Sequence, residues 1–112
     1  MLVQYIGIDV PDIGEIGAHD AKEANKTLVE GKKIKLKYDT QKRDKYIGRI
    51  VLAYVYLENG TFVNAELIKQ GYAQVITSPP NVKYTKLFQT LQKKAQEEKR
   101  GLWGIEVFKE TH

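Results

Sequence analysis

Residues 53–73, AYVYLENGTFVNAELIKQGYA, predict a strand, a tight turn and a short helix in immediate succession. The opening apolar run is rich in aromatic and β-branched residues, which favours a buried strand. Asn59-Gly60 tolerates the positive φ angles of a hairpin turn. Asn64 is a good helix N-cap, and Gly71 is a typical residue for ending a helix. The stretch therefore predicts a strand that returns through a hairpin arm into a helix.

Further strands and helices are predicted on both sides of this stretch. Apolar runs and alternation indicate strands, and apolar residues spaced three to four apart indicate helices. The irregular order suggests a curled antiparallel sheet with helices packed on it. In chain order the predicted elements are strand 2–8, helix 18–30, strand 32–38, strand 47–57, helix 64–70, strand 72–76 and a final helix through residues 84–95 that ends at Gly101.

A row of lysines occupies one side of the strand at 32–38. Lys33, Lys35 and Lys37 alternate with apolar residues, so the lysines share the face exposed to water. The formal net charge is +4 and the sequence pI is about 9.2, a balance that suits a polyanionic partner. The alternative is an ordinary solvated surface, and charge alone does not separate the two.

The sequence has 112 residues, a length typical of one domain. Its composition limits the chemistry that it can perform. Cysteine is absent, which excludes disulfides, thiolate ligands and a thiol nucleophile. His19 and His112 are far apart in sequence, so any metal is expected to be a hard cation held by oxygen. No apolar run is long enough to span a membrane.

Three segments together resemble the staphylococcal nuclease, or thermonuclease, family. They are Ile8-Asp9-Val10-Pro11, residues 53–73 and Gly101-Leu102-Trp103-Gly104, and the resemblance runs from residue 2 to residue 104. It implies a β-barrel with helices (α+β), specifically a truncated OB-fold of the staphylococcal nuclease type with three helices. The opening β-hairpin of the family has no counterpart. Residues 1–104 are expected to form the domain, and residues 105–112 a C-terminal tail.

The resemblance also implies calcium-dependent hydrolysis of DNA or RNA, preferably single-stranded. Asp9 matches an aspartate that binds the metal, and Asp12 stands where the family has the glutamate that assists the attacking water. Arg49 is the candidate for an arginine that clamps the phosphate. Lys45 and Tyr46 match positions flanking the nucleic-acid groove. These residues also have structural interpretations. Asp9 would cap a turn, and Asp12 would be an ordinary acid of the loop. Arg49 would be an exposed surface arginine, and Tyr46 would pack at the base of its loop.

Several positions depart from the family pattern and predict weak or absent activity. Gln4 stands where the family has its first clamp arginine, and it brings neither charge nor a forked donor. Asp12 is one methylene shorter than glutamate. Ile47 is an insertion, and a second extra residue between Arg49 and Leu52 puts the direction of the arginine in question. The family's other metal aspartate, in the opening hairpin, has no counterpart, so calcium binding is expected to be weak. The alternative is a non-catalytic module that binds nucleic acid or a protein.

The missing hairpin leaves the strand at 2–8 without one neighbour. An unpaired strand edge exposes backbone N–H and C=O groups, which favour pairing with another chain. A homo-oligomer through the open sheet edge, or addition of a strand from a partner, is therefore expected. Residues 105–108 alternate in polarity, and as a substitute strand they would instead keep the protein monomeric.

Overall fold

The computed structural model describes residues 2–111, so Met1 and His112, the outer limits of the expected domain and tail, lie outside it. Strands and helices follow one another irregularly, as the sequence predicts. The strands are β1 (Leu2–Tyr5), β2 (Ile8–Asp9), β3 (Ile34–Lys37), β4 (Ile50–Leu57) and β5 (Gln74–Val75). The helices are α1 (Ala18–Val29), α2 (Val63–Lys69), α3 (Thr85–Glu97) and α4 (Glu106–Thr111), with a 3₁₀ helix at Gly101–Gly104.

β4 is the central strand of a three-stranded sheet with the order β1-β4-β3. β3 pairs with it antiparallel, whereas β1 pairs with it parallel, with Leu2 opposite Ile50. The prediction of a wholly antiparallel sheet is therefore wrong, because α1 and β3 intervene between β1 and β4 and make a parallel return possible. β2 and β5 form a separate antiparallel pair. The α+β class is confirmed, but the sheets of the described residues do not close into a barrel.

Gly7 divides the strand predicted at 2–8 into β1 and β2. Its φ of 80° lies in the left-handed region, and a Cβ atom at this position would lie 2.8 Å from Cε2 of Phe88. The bend moves the chain from one sheet to the other, so that Asp9 comes to lie opposite Gln74. A residue with a side chain would meet both backbone strain and the Phe88 ring.

Asn64 joins three elements at the centre of the core. It lies within α2 rather than at its N-cap, which is Phe62, so the prediction of a capping role is wrong. The Asn64 side chain is fully buried; its Nδ2 donates to the carbonyl of Ile6, and its Oδ1 accepts from the N–H of Val55, both at 2.9 Å. These bonds tie α2 to β4 and to the turn after β1.

The segment after the 3₁₀ helix is helical, so the prediction that residues 105–108 form a substitute strand is wrong. Phe108 is buried on α4, and its ring centroid lies 5.2 Å from that of Trp103. Helical geometry brings Ile105 and Phe108 to one face, where they pack with Leu102 and Trp103. The described residues thus form four α-helices, not the three that were expected.

The outer edge of β1 has no strand beside it within residues 2–111. Leu2 on this edge is exposed. Association through it stays a prediction, which light scattering over a concentration series would test; a monomer at every concentration would contradict it. Across the same residues, no helix has the length and apolar character needed to cross a bilayer.

Candidate active site

Two clefts meet at Gln4 and Asp9. The first, of about 430 Å³, lies between β1, the loop after β2 and α1, and is mainly apolar. The second, of about 240 Å³, is called here the polar cleft. Asp9 lies at both clefts because it is the last residue of β2, where it pairs with Gln74. Its side chain is exposed. The polar side chains lining the polar cleft are Gln4, Tyr5, Asp9, Gln41, Asp44, Ser78 and Asn81.

Hydrogen bonds of an amide and a carboxylate side chain hold the walls of the polar cleft. Asn81, which is only 3 % exposed, accepts from the N–H of Gln41 at 2.7 Å and donates to its carbonyl at 2.8 Å. Asp44 Oδ1 accepts from the N–H groups of Tyr46 and Ile47, each at 2.8 Å. The loop at 39–47 is therefore fixed against the turn at 78–81, which preforms the cleft.

The arginine and the shortened acid lie away from the polar cleft. Arg49 is exposed in the turn before β4, whereas the residue opposite Gln4 is Leu52. Asp12 is exposed on the loop beyond Asp9, where its N–H donates to Glu15 Oε1 at 2.7 Å and its carbonyl accepts from the N–H of Glu15 at 2.9 Å. Neither side chain lines either cleft, so the structure brings together Asp9 and Gln4 but not Asp12 and Arg49.

Lys45 and Tyr46 lie on the exposed loop that Asp44 stabilises. The Tyr46 side chain is 87 % exposed, which argues against a packing role at the base of the loop. Lys45 Nζ lies 5.7 Å from the centroid of the Tyr46 ring. An exposed aromatic ring beside an ammonium group suits stacking of a base next to a phosphate.

The carboxylates around Asp9 do not form a calcium site by themselves. No group of three or more histidine or acidic side chains in residues 2–111 is arranged to hold a metal. Of the two acids lining the polar cleft, Asp44 already accepts two backbone N–H groups through one oxygen. Calcium takes six to eight oxygen ligands. The described residues therefore do not fit a site made from protein ligands, and water would have to supply most of the shell.

Residues 2–104 match the family model described as "Staphylococcal nuclease homologue". The chain belongs to the staphylococcal nuclease family. Membership confirms the resemblance carried by the three sequence segments. The predicted division of the chain after residue 104 is not tested by this match and stays a prediction.

Curated relatives agree with this assignment. The chain is 38% identical over 110 residues to the SPbeta prophage-derived endonuclease YokF of Bacillus subtilis strain 168, covering 91% of this chain and 36% of that protein. It is 34% identical over 108 residues to the thermonuclease of Staphylococcus hyicus, covering 91% and 62%. It is 36% identical over 110 residues to endonuclease YncB of B. subtilis, covering 91% and 51%. The chain thus spans from 36% to 62% of the length of these relatives.

Sequence reasoning missed the residues that build the cleft walls. Gln41 and Asn81 are 40 positions apart, and their pairing exists only in the folded chain. The available signal was weak: Asn81 follows Pro79-Pro80, which predicted only a break in the strand. The side-chain amide of Asn81 fixes this turn against the loop of Gln41 through two hydrogen bonds.

Proposed function

We propose that this chain hydrolyses phosphodiester bonds of single-stranded DNA or RNA, at a low rate. The observation that carries the proposal is membership of the staphylococcal nuclease family over residues 2–104, in a chain that keeps Asp9 at the mouth of a preformed polar cleft. Relatives named as endonucleases and a thermonuclease support it. A single strand is favoured because its unstacked bases are free to enter a narrow cleft and to stack on an aromatic ring.

The groups at the cleft have separable roles in this proposal. Asp9 supplies the carboxylate next to the scissile phosphate and is the residue that would contact calcium, if the family's metal is used here. Gln4 supplies an uncharged hydrogen-bond donor at the same point. Tyr46 stacks a base and Lys45 contacts a phosphate on the adjoining loop.

The low rate follows from the positions of Asp12 and Arg49. We propose that Asp12 assists the attacking water and that Arg49 contacts the phosphate, as the family pattern implies. Both would have to approach Asp9, because neither lines the clefts. Misplacement of a catalytic group by about 1 Å can cost roughly a hundredfold in rate.

A cleavage assay tests the proposed function. A fluorescently labelled single-stranded oligonucleotide is incubated with the protein in calcium, and products are resolved on a gel. We expect slow cleavage by the unmodified chain and a rate at least about tenfold lower for Asp9→Asn, since the amide removes the charge at the cleft. Asp20→Asn is the matched control, because Asp20 is exposed on α1 and outside both clefts. Equal rates for the two variants, or no cleavage by the unmodified chain, would contradict the proposal and favour a non-catalytic module.

Calcium binding is expected to be weak, with a Kd in the millimolar range, about 10⁻³ M, typical of sites with few protein ligands. Asp9 is the main carboxylate available at the polar cleft, because Asp44 is already bonded to its own loop. Titration followed by NMR chemical shifts would measure the affinity and show whether Asp9 responds. Micromolar affinity, or shifts centred on Asp39 instead of Asp9, would show that other acids form the site.

A further inference from the structure

Two lysines and two tyrosines form a cluster at the junction of β3, β4 and the start of α3. This lysine–tyrosine cluster consists of Lys37, Tyr56, Lys83 and Tyr84. Lys37 Nζ lies 4.8 Å from the centroid of the Tyr56 ring, and Lys83 Nζ lies 5.3 Å from that of Tyr84. Both lysines are exposed, and both rings are half-buried. The cluster was not recognised in the sequence, which showed only Lys37 as part of a lysine row.

Phe62 supports both tyrosines from below. Its ring stacks on Tyr56 with centroids 4.5 Å apart and meets Tyr84 edge-on at 5.0 Å. Lys83 is held through its backbone, because its N–H donates to Asp39 Oδ2 at 3.2 Å. The same oxygen accepts from the hydroxyl of Tyr54 at 2.6 Å. The cluster therefore lies on a fixed aromatic base and does not depend on flexible side chains alone.

The hydroxyl of Tyr84 lies close to Tyr56 and to both lysines of the cluster. Hydrogen bonding from Tyr56, followed by the nearby charges of Lys83 and Lys37, lowers the pKa of Tyr84. Burial, together with the bond it donates to Tyr84, raises the pKa of Tyr56 to about 12. The Tyr84 oxygen thus accepts from Tyr56 and from the Lys83 ammonium group, while the hydroxyl keeps one proton to donate. That proton is available for an anionic oxygen.

The positive charge of the cluster is not neutralised by an ion pair within residues 2–111. Asp39 is the nearby acid. Burial acts against its ionised form, but hydrogen bonds from Tyr54, Thr40 and Lys83 outweigh burial and lower the pKa of Asp39. Its oxygens are therefore occupied by these donors rather than by an ammonium group. Lys35 extends the charge, since it lies opposite Tyr56 on the same face of the sheet.

The cluster continues directly from the polar cleft. Lys83 follows Asn81 by two residues, and Asp39 precedes Gln41 by two; Asn81 and Gln41 are the bonded pair in the cleft wall. A strand leaving the cleft across this wall reaches the lysine–tyrosine cluster next.

We propose that Lys37, Lys83 and the hydroxyl of Tyr84 bind a phosphate of the substrate strand adjacent to the nucleotide in the polar cleft. The inference rests on the proposed function, because it assigns a second contact to the same substrate. It predicts that affinity rises with strand length as the strand extends past the cleft. It also predicts that the cluster contributes binding without taking part in bond cleavage.

The test compares two variants that lose the same charge. K37Q/K83Q removes the cluster lysines, and K69Q/K109Q removes two exposed lysines on α2 and α4. Binding of a labelled single-stranded 12-mer is measured by fluorescence anisotropy over a salt series. We expect the log–log salt slope of K37Q/K83Q to fall by about 0.7, the value for loss of one phosphate contact on a single strand. K69Q/K109Q should keep the slope of the unmodified chain. Equal slopes for the two variants would overturn the inference.

Tyr84→Phe provides a second test in which both lysines remain. It removes only the hydroxyl, and we expect weaker binding of the 12-mer with an unchanged salt slope, because no charge is lost. Unchanged affinity would remove the hydroxyl from the site. Thermal melting of every variant verifies that each is folded.

Substrate length separates failure of this inference from failure of the proposed function. A dinucleotide occupies the polar cleft alone, so K37Q/K83Q should cleave it as the unmodified chain does while cleaving the 12-mer less efficiently. If the unmodified chain neither binds nor cleaves any oligonucleotide, both proposals fail. If it cleaves both substrates and K37Q/K83Q behaves like K69Q/K109Q, only the cluster is excluded.

Discussion

Replacing Asn64 by leucine is expected to lower the free energy of unfolding by about 3 kcal/mol. Leucine has the same number and branching of side-chain heavy atoms as asparagine, although its methyl groups are bulkier, and it offers no hydrogen bonds. The N–H of Val55 and the carbonyl of Ile6 would lose their partners at a site where Asn64 is fully buried. Each buried backbone group left unpaired costs about 1–3 kcal/mol, which exceeds any gain from burying leucine.

Urea denaturation followed by the fluorescence of Trp103 measures the effect. Trp103 is the single tryptophan and is buried, so its emission reports unfolding. Gln89→Leu makes the same change from amide to leucine at an exposed position on α3, and should alter stability by less than about 0.5 kcal/mol. If the two variants have the same midpoint and slope, Asn64 is not the structural junction described above.

The elements around residues 53–73 could be predicted because their signals are local. β4 ends in the turn that Asn59-Gly60 predicts, and Gly71 follows α2 with a φ of 85°. A Cβ at Gly71 would also clash with the carbonyl oxygen of Arg100, so glycine is required there for a second reason. The local signal gives the first reason, and only the tertiary contact gives the second.

The secondary structure was predicted wrongly where a local sequence pattern fits two structures and tertiary contacts determine which one forms. The apolar run at 2–8 does not show that Gly7 bends against Phe88. The segment at 105–108 fits both a period of two and a helical spacing, and the buried contact of Phe108 with Trp103 accompanies the helix. In β3 the apolar face is less covered than expected, since Ile34 is 45% exposed at the edge of the sheet.

For the candidate site, sequence identified single positions but not their assembly. Asp9 and Gln4 were singled out by the family pattern, and both line the polar cleft. The lysine–tyrosine cluster brings together residues from β3, β4 and the start of α3, and no local motif connects them. Whether Arg49 and Asp12 reach Asp9 depends on loop conformations, which a pattern of residue types does not specify.

Gln4→Arg is expected to raise the rate of cleavage of single-stranded DNA by about 10²-fold, the scale on which single transition-state donors act. Gln4 is exposed, lies in β1 opposite Leu52 and lines the polar cleft with Asp9. An arginine there would place a permanent charge and a forked donor at the point where negative charge develops on the phosphate. Arg49 lies outside the cleft and does not supply these donors in its observed position.

Single-turnover cleavage of the labelled oligonucleotide, with enzyme in excess, measures the chemical step apart from binding. Gln89→Arg adds the same charge on α3, away from both clefts, and corrects for nonspecific attraction of the substrate. Gln4→Lys adds charge without the fork and should recover only part of the gain. The competing outcome is an ion pair between the introduced arginine and Asp9, which would withdraw both groups from the phosphate. In that case Gln4→Arg would cleave no faster than Gln89→Arg, and absence of the first clamp arginine would not be what limits this domain.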